Sequence, residues 1–400
     1  MKNLFIIANA AYGKELSGGD RIFIEISRRW EGRVTLLISE DGYNIAKRSN
    51  LENAEYNIFK LHEYNILTSA KFNKSGFFLT YIIRTIHSIL KALFLKKLPQ
   101  DTVLYSASDF LPDSIPAFLL KIKNGNIKWI AAFYLFAPPV FDFFSASSKR
   151  KFRLFKDTAY FLTQKIPYYL ILKFADVIFV TSEPDKKRFM DKGRNGEEVI
   201  VVKGGVDLPD KTYEIKNIKD KKYDACFLGR LHPQKGVLEL IDIWNIVCRE
   251  IEGSRLAIIG DGELKDGINR KIAKYNLDKN IFLLGFMDGE DKYKVFKESK
   301  IMLHPALYDS GGMSAAEGMA WGLPAVGFDL PHLVEYYPKG MLKARRGDLK
   351  DFAMKIVKIL KDENLYNSIS RDAVELTACE WSWDKRVKDI TEKLKLANIL

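Results

Sequence analysis

Short apolar runs alternate with segments of helical periodicity along most of the chain, a pattern typical of α/β proteins with parallel sheets. In the first half the runs that predict strands are 3–9, 33–39, 101–107, 127–134, 175–182 and 198–205. In the second half they are 223–229, 254–260, 280–286, 300–305 and 324–329. Between the two sets, DLPDKTYEIKNIKDKKY is polar and rich in lysine, which is typical of a linker.

Length supports the same division. A chain of 400 residues exceeds what one hydrophobic core usually serves. We therefore predict two doubly wound, Rossmann-like domains, 1–205 and 223–378, joined by a linker at 206–222. Two such sheets facing each other would place the carboxyl ends of their strands around a common cleft, where ligands bind in this architecture.

Composition excludes several classes of protein. Hydrophobic residues make up 47% of the chain and aromatic residues 12%, enough for packed cores. The three cysteines are widely spaced without a CxxC pair, so neither a disulfide framework nor a zinc site is indicated, and we expect a reducing, cytoplasmic compartment. We find no secretory leader pattern and no apolar run that approaches about 18 residues, the length that predicts a spanning helix.

The net charge of +12 is unevenly distributed. Phe143–Lys173 carries seven basic residues and one acid, and Phe77–Lys97 carries four basic residues and no acid. Both segments interleave aromatic residues with the bases. They could bind an anionic membrane surface or a nucleic acid, or they could be solvated helix faces over an ordinary core.

The loop FLGRLHPQKG follows the first strand of the second half. The strand ends at Gly229, Arg230 and Lys235 bracket the turn, and Gly236 leads into a helix. Two fixed cations beside a helix N-terminus can hold a diphosphate and stabilise its growing charge as it leaves. Alternatively, Lys235 lies on a solvent-facing turn.

The stretch YDSGGMSAAEGMAWGLPAV contains a second candidate site. Asp309 precedes a glycine turn and Glu317 falls in the second turn of the helix that follows, so the two acids can reach different parts of one ligand. The N–H groups of Gly311, Gly312 and Met313 would face the space between them. Alternatively, Asp309 or Ser310 caps the helix and Glu317 faces solvent.

Two weaker signals lie between these loops. IIGDGEL reads as a glycine-containing turn between a strand and a helix. LLGFM places Gly285 at the end of a strand, where backbone groups could contact the edge of a flat base.

The order of these motifs, G-R-x4-K-G, G-D-G, L-G-F and then D-x7-E-G-M-A-x-G-x-P, resembles the nucleotide-sugar half of family 4 glycosyltransferases of the GT-B class. NAAYGKELSGGDRIFIEISRRW is similar to the glycine-rich first loop of that family, with Gly18 and Gly19. WSWDKRVKDITEKL is similar to its terminal helix, so residues 379–400 are expected to pack back on the first domain.

The resemblance implies a role for each matching residue. Arg230 and Lys235 would hold the donor diphosphate and Asp309 the hydroxyls of the transferred sugar, which makes these three the expected catalytic residues. Glu317 would bind the ribose, and the backbone around Gly285 and Phe286 the base. The full expected donor set is Gly18, Gly19, Gly229, Arg230, Lys235, Gly285, Phe286, Asp309, Ser310, Gly311, Gly312, Met313 and Glu317. No metal or other cofactor is expected, because the chain has no literal D-x-D motif.

Two features depart from the family pattern. Asp309 stands where the family usually has glutamate, which is one methylene longer. The first-domain loop FYLFAPPVF (Phe133–Phe141) lacks the histidine that the family often places near the donor sugar. The five histidines of the chain are His62, His87, His232, His304 and His332.

We therefore predict a retaining glycosyltransferase that moves a sugar from a nucleotide-diphosphate sugar to a glycan or lipid-linked acceptor at the cytoplasmic membrane face. Phe77–Lys97 and Phe143–Lys173 would hold it on the anionic surface, and no nucleic acid partner is expected. A GT-B-like nucleotide-sugar epimerase, a soluble polymer synthase and a non-catalytic nucleic-acid-binding protein remain alternatives. A nicotinamide-dependent oxidoreductase is disfavoured, because ANAAYGKELSGG is a poor match to G-x-G-x-x-G.

Overall fold

The structure, a computed structural model, describes residues 2–11, 17–59, 75–137, 150–210, 218–309 and 311–400. The chain divides into two compact units. Met1–Lys203 and Val387–Leu400 form the first unit, and Gly204–Arg386 forms the second. Of the residues that we assigned to a linker and to a terminal helix, 206–222 and 379–386 thus group with the second unit.

The first unit is built on a seven-stranded parallel sheet in the order β3-β2-β1-β4-β5-β6-β7. The strands are β1 (Asn3–Ala8), β2 (Val34–Ser39), β3 (Ala54–Phe59), β4 (Thr102–Ser106), β5 (Lys128–Ala132), β6 (Val177–Val180) and β7 (Val199–Val201). Its helices are α1 (Gly18–Arg28), α2 (Glu40–Arg48), α3 (Ser75–Phe94), α4 (Leu111–Asn124), α5 (Arg150–Phe174) and α6 (Glu183–Met190). Ile6 of β1 pairs with Leu36 on one side and with Tyr105 on the other, so the strand order reverses at β1 and β4.

The second unit is built on a six-stranded parallel sheet in the order β10-β9-β8-β11-β12-β13. The strands are β8 (Tyr223–Leu228), β9 (Leu256–Ile259), β10 (Ile281–Gly285), β11 (Ser299–His304), β12 (Ala325–Phe328) and β13 (Met341–Ala344). Its helices are α7 (Val237–Glu250), α8 (Lys265–Tyr275), α9 (Gly289–Lys297), α10 (Met313–Ala320), α11 (Pro331–Tyr336), α12 (Leu349–Lys361) and α13 (Glu363–Glu380). The last helix, α14 (Trp383–Leu396), begins in the second unit and continues into the first. The order reverses between β8 and β11, and ligands bind outside the strand ends at such a reversal. The predicted α/β class with two doubly wound sheets is confirmed.

Each sheet has its own hydrophobic core. In the second unit, the centre of β8 is fully buried and Trp244 of α7 packs in the same cluster. In the first unit, Trp129 of β5 and Phe179 of β6 are fully buried. Strands covered on both faces read as continuous apolar runs in the sequence, which is why these central strands were predictable.

One basic residue of helix α3, Arg84, does not belong to the charged surface that we expected for Phe77–Lys97. Arg84 is buried, donates to the carbonyl of Ala11 at 2.5 Å and pairs with Asp41. It therefore belongs to the interior and not to a charged face. The solvent side of α3 is apolar instead, and it is formed by Ile82, Ile86, Leu90, Leu93 and Phe94. Within the described residues, no helix combines the length and the apolar character needed to cross a bilayer.

Helix α5 contains most of the second basic segment. Residues 143–149 lie outside the described residues. Further along the helix, the Lys165 ammonium lies over the Phe161 ring and the Lys173 ammonium over the Phe174 ring. Ile166 and Tyr169 are exposed on the same helix.

Candidate active site

A glycine brings Lys235 to the end of β11. Pro233–Lys235 forms a short 3-10 turn after β8, and Gly236 follows it with φ of +64°. A Cβ on Gly236 would lie 2.0 Å from the carbonyl oxygen of Pro305, the residue directly after β11. Only glycine allows this close approach in this backbone conformation.

Asp309 is the centre of a buried charged cluster. Its Oδ2 lies 2.6 Å from Lys235 Nζ and 3.3 Å from His304 Nε2. His304 is the last residue of β11, and its Nδ1 lies 3.2 Å from Ser314 Oγ. Burial alone would raise the pKa of Asp309, but the Lys235 charge and the contact with His304 hold this pKa well below its usual range. These two partners therefore favour the ionised form of Asp309.

The glycine turn is fixed by Asp309 on one side and by Tyr337 on the other. The N–H groups of Gly311 and Gly312 each donate to Asp309 Oδ1 at 3.2 Å. We expected these groups to face the space between Asp309 and Glu317, and this was wrong. The Tyr337 hydroxyl donates to the Gly312 carbonyl at 2.7 Å, and the Tyr337 ring stacks on Trp381.

Glycine is also needed at the N-cap of α10. Gly312 occupies that position with φ of +63°, and a Cβ there would lie 2.8 Å from a methyl carbon of Leu333. Among the described residues no side chain makes a capping hydrogen bond to this helix, so Asp309 does not have the capping role that we considered as an alternative. Ser310 lies outside the described residues. The Asp309 carboxylate instead pairs with Lys235 and His304 and accepts hydrogen bonds from the N–H groups of the glycine turn.

Glu317 is not on a solvent face. Its side chain is 13% exposed, and its Oε2 accepts a hydrogen bond from Lys292 Nζ at 2.6 Å. Lys292 lies on α9 and is itself 4% exposed; it also donates to Asp288 Oδ1 at 3.0 Å. Sequence reasoning missed Lys292 because it stands in GEDKYKVFKESK, where four lysines all resemble solvated surface residues.

Other expected donor residues of this unit lie at the ends of β8 and β10, the strands on either side of β9. Arg230 is exposed just past β8. Gly285 ends β10 with φ of +76°, has open space where a Cβ would be, and is followed by the half-exposed Phe286. The glycine at 260 draws these loops together, since a Cβ there would lie 1.9 Å from the carbonyl oxygen of Gly229.

The glycine loop of the first unit opens α1. Gly18 and Gly19 are its first residues, and Ser17 and Asp20 form a capping box around them. A Cβ on Gly19 would lie 3.1 Å from the Tyr134 ring, so the helix start packs on the residue after Phe133. Part of the loop Phe133–Phe141, residues 138–141, lies outside the described residues.

The structure thus brings together Lys235, Asp309, Gly311 and Gly312, and it adds His304 and Lys292 to the residues that we predicted. His304 had one sequence signal: it ends an apolar strand immediately before the turn that contains Asp309. Across the described parts of the chain, no group of three or more His, Cys, Asp or Glu side chains is placed to hold a metal ion. The expectation that no metal is used stays a prediction.

Comparison with known proteins shows what the part of the chain that carries this site is similar to. Residues 210–375 match the family described as glycosyl transferases group 1. An uncharacterized glycosyltransferase of Methanocaldococcus jannaschii is 26% identical over 263 residues, which cover 62% of this chain and 60% of that protein. A poly(glycerol-phosphate) alpha-glucosyltransferase of Bacillus subtilis is 23% identical over 205 residues, covering 50% of this chain and 30% of that protein. The chain thus spans less than two thirds of the length of these relatives.

Solved structures match over nearly the whole chain. A mutant of S. aureus TarM in complex with fondaparinux, alpha-GlcNAc-glycerol and UDP has a TM-score of 0.73 at 12% identity, with 98% of this chain and 99% of that chain covered. Anabaena HepE in complex with UDP and glucose has a TM-score of 0.71 at 15% identity, with 99% and 100% covered. Residues 210–375 are thus similar to the group 1 glycosyl transferases, and the two doubly wound units of the chain have the GT-B fold.

Proposed function

We propose that this protein is a retaining glycosyltransferase that moves a sugar from a nucleoside-diphosphate sugar to a glycan or lipid-linked acceptor. The observation that carries the proposal is the ion pair between the partly exposed Lys235 and the buried Asp309 beside the glycine turn, inside the region that matches the family. The UDP in the TarM structure and the UDP and glucose in the HepE structure support a nucleotide-sugar donor. The name of the B. subtilis relative supports a polymer as acceptor.

In the proposed reaction, Lys235 exchanges its partner. Its ammonium pairs with Asp309 in the structure. In the proposed reaction the ammonium turns to the donor diphosphate and, with Arg230, stabilises the negative charge that grows as the diphosphate leaves. Asp309 stays ionised and held by the N–H groups of Gly311 and Gly312, so it can accept hydrogen bonds from sugar hydroxyls. The acceptor hydroxyl oxygen forms a bond to the anomeric carbon on the face from which the diphosphate leaves, as the bond from that carbon to the diphosphate oxygen breaks. The hydroxyl proton passes to the departing diphosphate, and the configuration is retained.

A panel of nucleotide sugars tests this proposal. UDP-, GDP- and ADP-linked sugars are screened for an increase in Tm and for slow hydrolysis, and any donor that stands out is incubated with candidate glycan and lipid-linked acceptors. NMR of the product then gives its anomeric configuration. A transferred sugar with the configuration of the donor is expected. An isomerised donor would support the epimerase instead, and salt-sensitive nucleic acid binding without turnover of any donor would contradict an enzyme.

We propose further that the protein works on an anionic membrane surface at the cytoplasmic face, with α3 as the contact. Its exposed residues Ile86, Leu90, Leu93 and Phe94 form an apolar stripe, and Phe94 is 84% exposed. Lys91, Lys96 and Lys97 are exposed beside this stripe. Apolar side chains flanked by lysines suit the boundary between anionic headgroups and acyl chains.

Vesicle sedimentation at low salt tests the membrane contact. Binding to phosphatidylglycerol vesicles and not to phosphatidylcholine vesicles is expected, and the paired change Leu90→Gln and Leu93→Gln should weaken it severalfold. Met354→Gln, at an exposed methionine of α12 in the second unit, is the matched control. Equal sedimentation with both vesicle types, or none with either, would reject the membrane contact and leave the transferase proposal standing.

A further inference from the structure

Lys292 is a buried cation between two carboxylates. Its side chain is 4% exposed, and its ammonium contacts Glu317 at 2.6 Å and Asp288 at 3.0 Å. Burying an ammonium is costly unless it is paired and hydrogen-bonded, and removing one partner of such a pair leaves an uncompensated charge. An apolar side chain could occupy this buried position without the cost of burying a charge. The presence of a lysine there therefore suggests that its charge has a role.

The two acids that contact Lys292 belong to two different elements of the candidate site. Asp288 ends the segment that begins at Gly285 and Phe286, where the backbone is open and a base is expected. Glu317 lies on α10 and is expected to bind the ribose. Lys292 on α9 therefore ties the base-side segment to the ribose-side carboxylate.

We infer that Lys292 is a positioning residue for the nucleoside: it sets the orientation of Glu317 toward the ribose hydroxyls and holds the segment 285–288 in register with it. This inference rests on the proposed function. The ammonium fixes one oxygen of the Glu317 carboxylate, which limits the rotation of the side chain. Without Lys292, the carboxylate loses this anchor, and its contacts with ribose hydroxyls weaken.

The positioning role can be measured as the ratio of the affinity for a ribonucleotide to the affinity for its 2′-deoxy form. UDP, GDP and ADP are titrated calorimetrically, each beside its 2′-deoxy form, and the base that binds is used thereafter. A hydrogen bond to a charged group implies a preference for the ribonucleotide of about 10- to 100-fold. Glu317→Gln and Lys292→Met should each reduce this ratio severalfold or more, and Lys292→Arg should restore most of it.

Lys294→Met is the matched control. Lys294 lies on the same helix, is 70% exposed and pairs with Asp291, so its removal should leave the ratio and the Tm unchanged. A purely structural Lys292 would lower the Tm and weaken both nucleotides equally, with the ratio intact. Lys292→Gln, which keeps a hydrogen-bond donor, should give an intermediate ratio and serves if Lys292→Met does not fold.

The possible results distinguish a failure of the Lys292 positioning role from a failure of the proposed glycosyltransferase function. If Glu317→Gln lowers the ratio and the Lys292 variants keep it, the positioning role is wrong and the donor site stands. If Glu317→Gln keeps the ratio, the ribose contact is wrong and the inference falls with it. If the wild-type protein binds no nucleotide at all, the proposed function itself is contradicted.

Discussion

At the scale of single residues, Lys235 and Asp309 define what the site can do. Lys235→Ala should lower kcat by about 10²-fold or more, because a cation that stabilises the leaving diphosphate in the transition state is lost. Steady-state kinetics with the donor found in the panel measures the effect. Lys265→Ala is the control, since Lys265 is half exposed and pairs with the exposed Asp261. A near-normal kcat in Lys235→Ala would remove Lys235 from catalysis.

The sequence revealed only part of this residue-level picture. Lys235, Asp309 and Glu317 stand in motifs whose spacing points to a ligand. Lys292 and His304 do not, because their partners lie 25 and 5 residues away on other elements and only the fold brings them together. Whether a lysine in a lysine-rich helix is buried depends on tertiary packing, which no local pattern contains.

A second residue-scale prediction concerns Asp113, which is buried where β1 and β4 end. It accepts hydrogen bonds from the N–H groups of Asn9 and Ala10 and from Ser108. Burial raises the pKa of Asp113 to about 7, against an ordinary value of 3.8, and the hydrogen bonds offset only part of the rise. A raised folded pKa means a stabilising contribution that is complete below about pH 3.8 and is lost as the pH rises through about 7.

Asp113→Asn should therefore change the pH dependence of stability. Asparagine can still accept from the two backbone N–H groups but carries no charge to desolvate. The difference in Tm between the variant and the wild type, measured by differential scanning fluorimetry, should shift in favour of the variant from pH 5 to pH 9. Asp191→Asn, at an exposed acid after α6, should show no such gain. A constant difference between Asp113→Asn and wild type at the two pH values would contradict the assignment.

At the scale of elements, the pattern predicted the strands that are buried on both faces and missed two at the sheet edges. In strand β3 (AEYNIF) the polar residues Glu55 and Asn57 interrupt the apolar ones, and its described side chains are exposed or half buried. Strand β13 (MLKA) is four residues long and contains a lysine. Edge strands pair on one side only and need fewer apolar residues, so their sequences resemble loops.

Gly236 gives a prediction about how two elements meet. Gly236→Ala would combine a left-handed backbone with a methyl group 2.0 Å from the Pro305 oxygen, so the Lys235 turn must shift away from β11. We expect a loss of stability well above the roughly 1–2 kcal/mol of the backbone conformation alone, and a lower kcat. Gly253→Ala is the control: this glycine follows the same helix α7 with φ of +72° and open space around it. Equal effects of the two changes in denaturant unfolding would reject the steric explanation.

At the scale of the whole molecule, the chain returns to the unit in which it began. Residues 387–400 belong to the first unit, although the 183 residues before them form the second. Lys2 donates to the carbonyl of Ile399 at 2.6 Å, and Leu394 is buried. The resemblance implied a terminal helix that packs back on the first domain, but the hydrophobic pattern alone did not show which unit it completes.

Substitutions at Leu394 and Leu396 test whether the end of α14 stabilises the first unit. Both residues lie on α14, but Leu394 is 1% exposed and Leu396 is 75% exposed. Leu394→Ala should cost about 2–5 kcal/mol in the free energy of unfolding, because it removes buried methyl groups and leaves a cavity, whereas Leu396→Ala should stay within about 0.5 kcal/mol. Hydrogen exchange measured by mass spectrometry locates the loss. Strands β1 to β7 should exchange faster in Leu394→Ala, and strands β8 to β13 should be unchanged. If both sets of strands exchange faster to the same degree, or if the two variants are equally stable, the last turns of the chain do not complete the first unit.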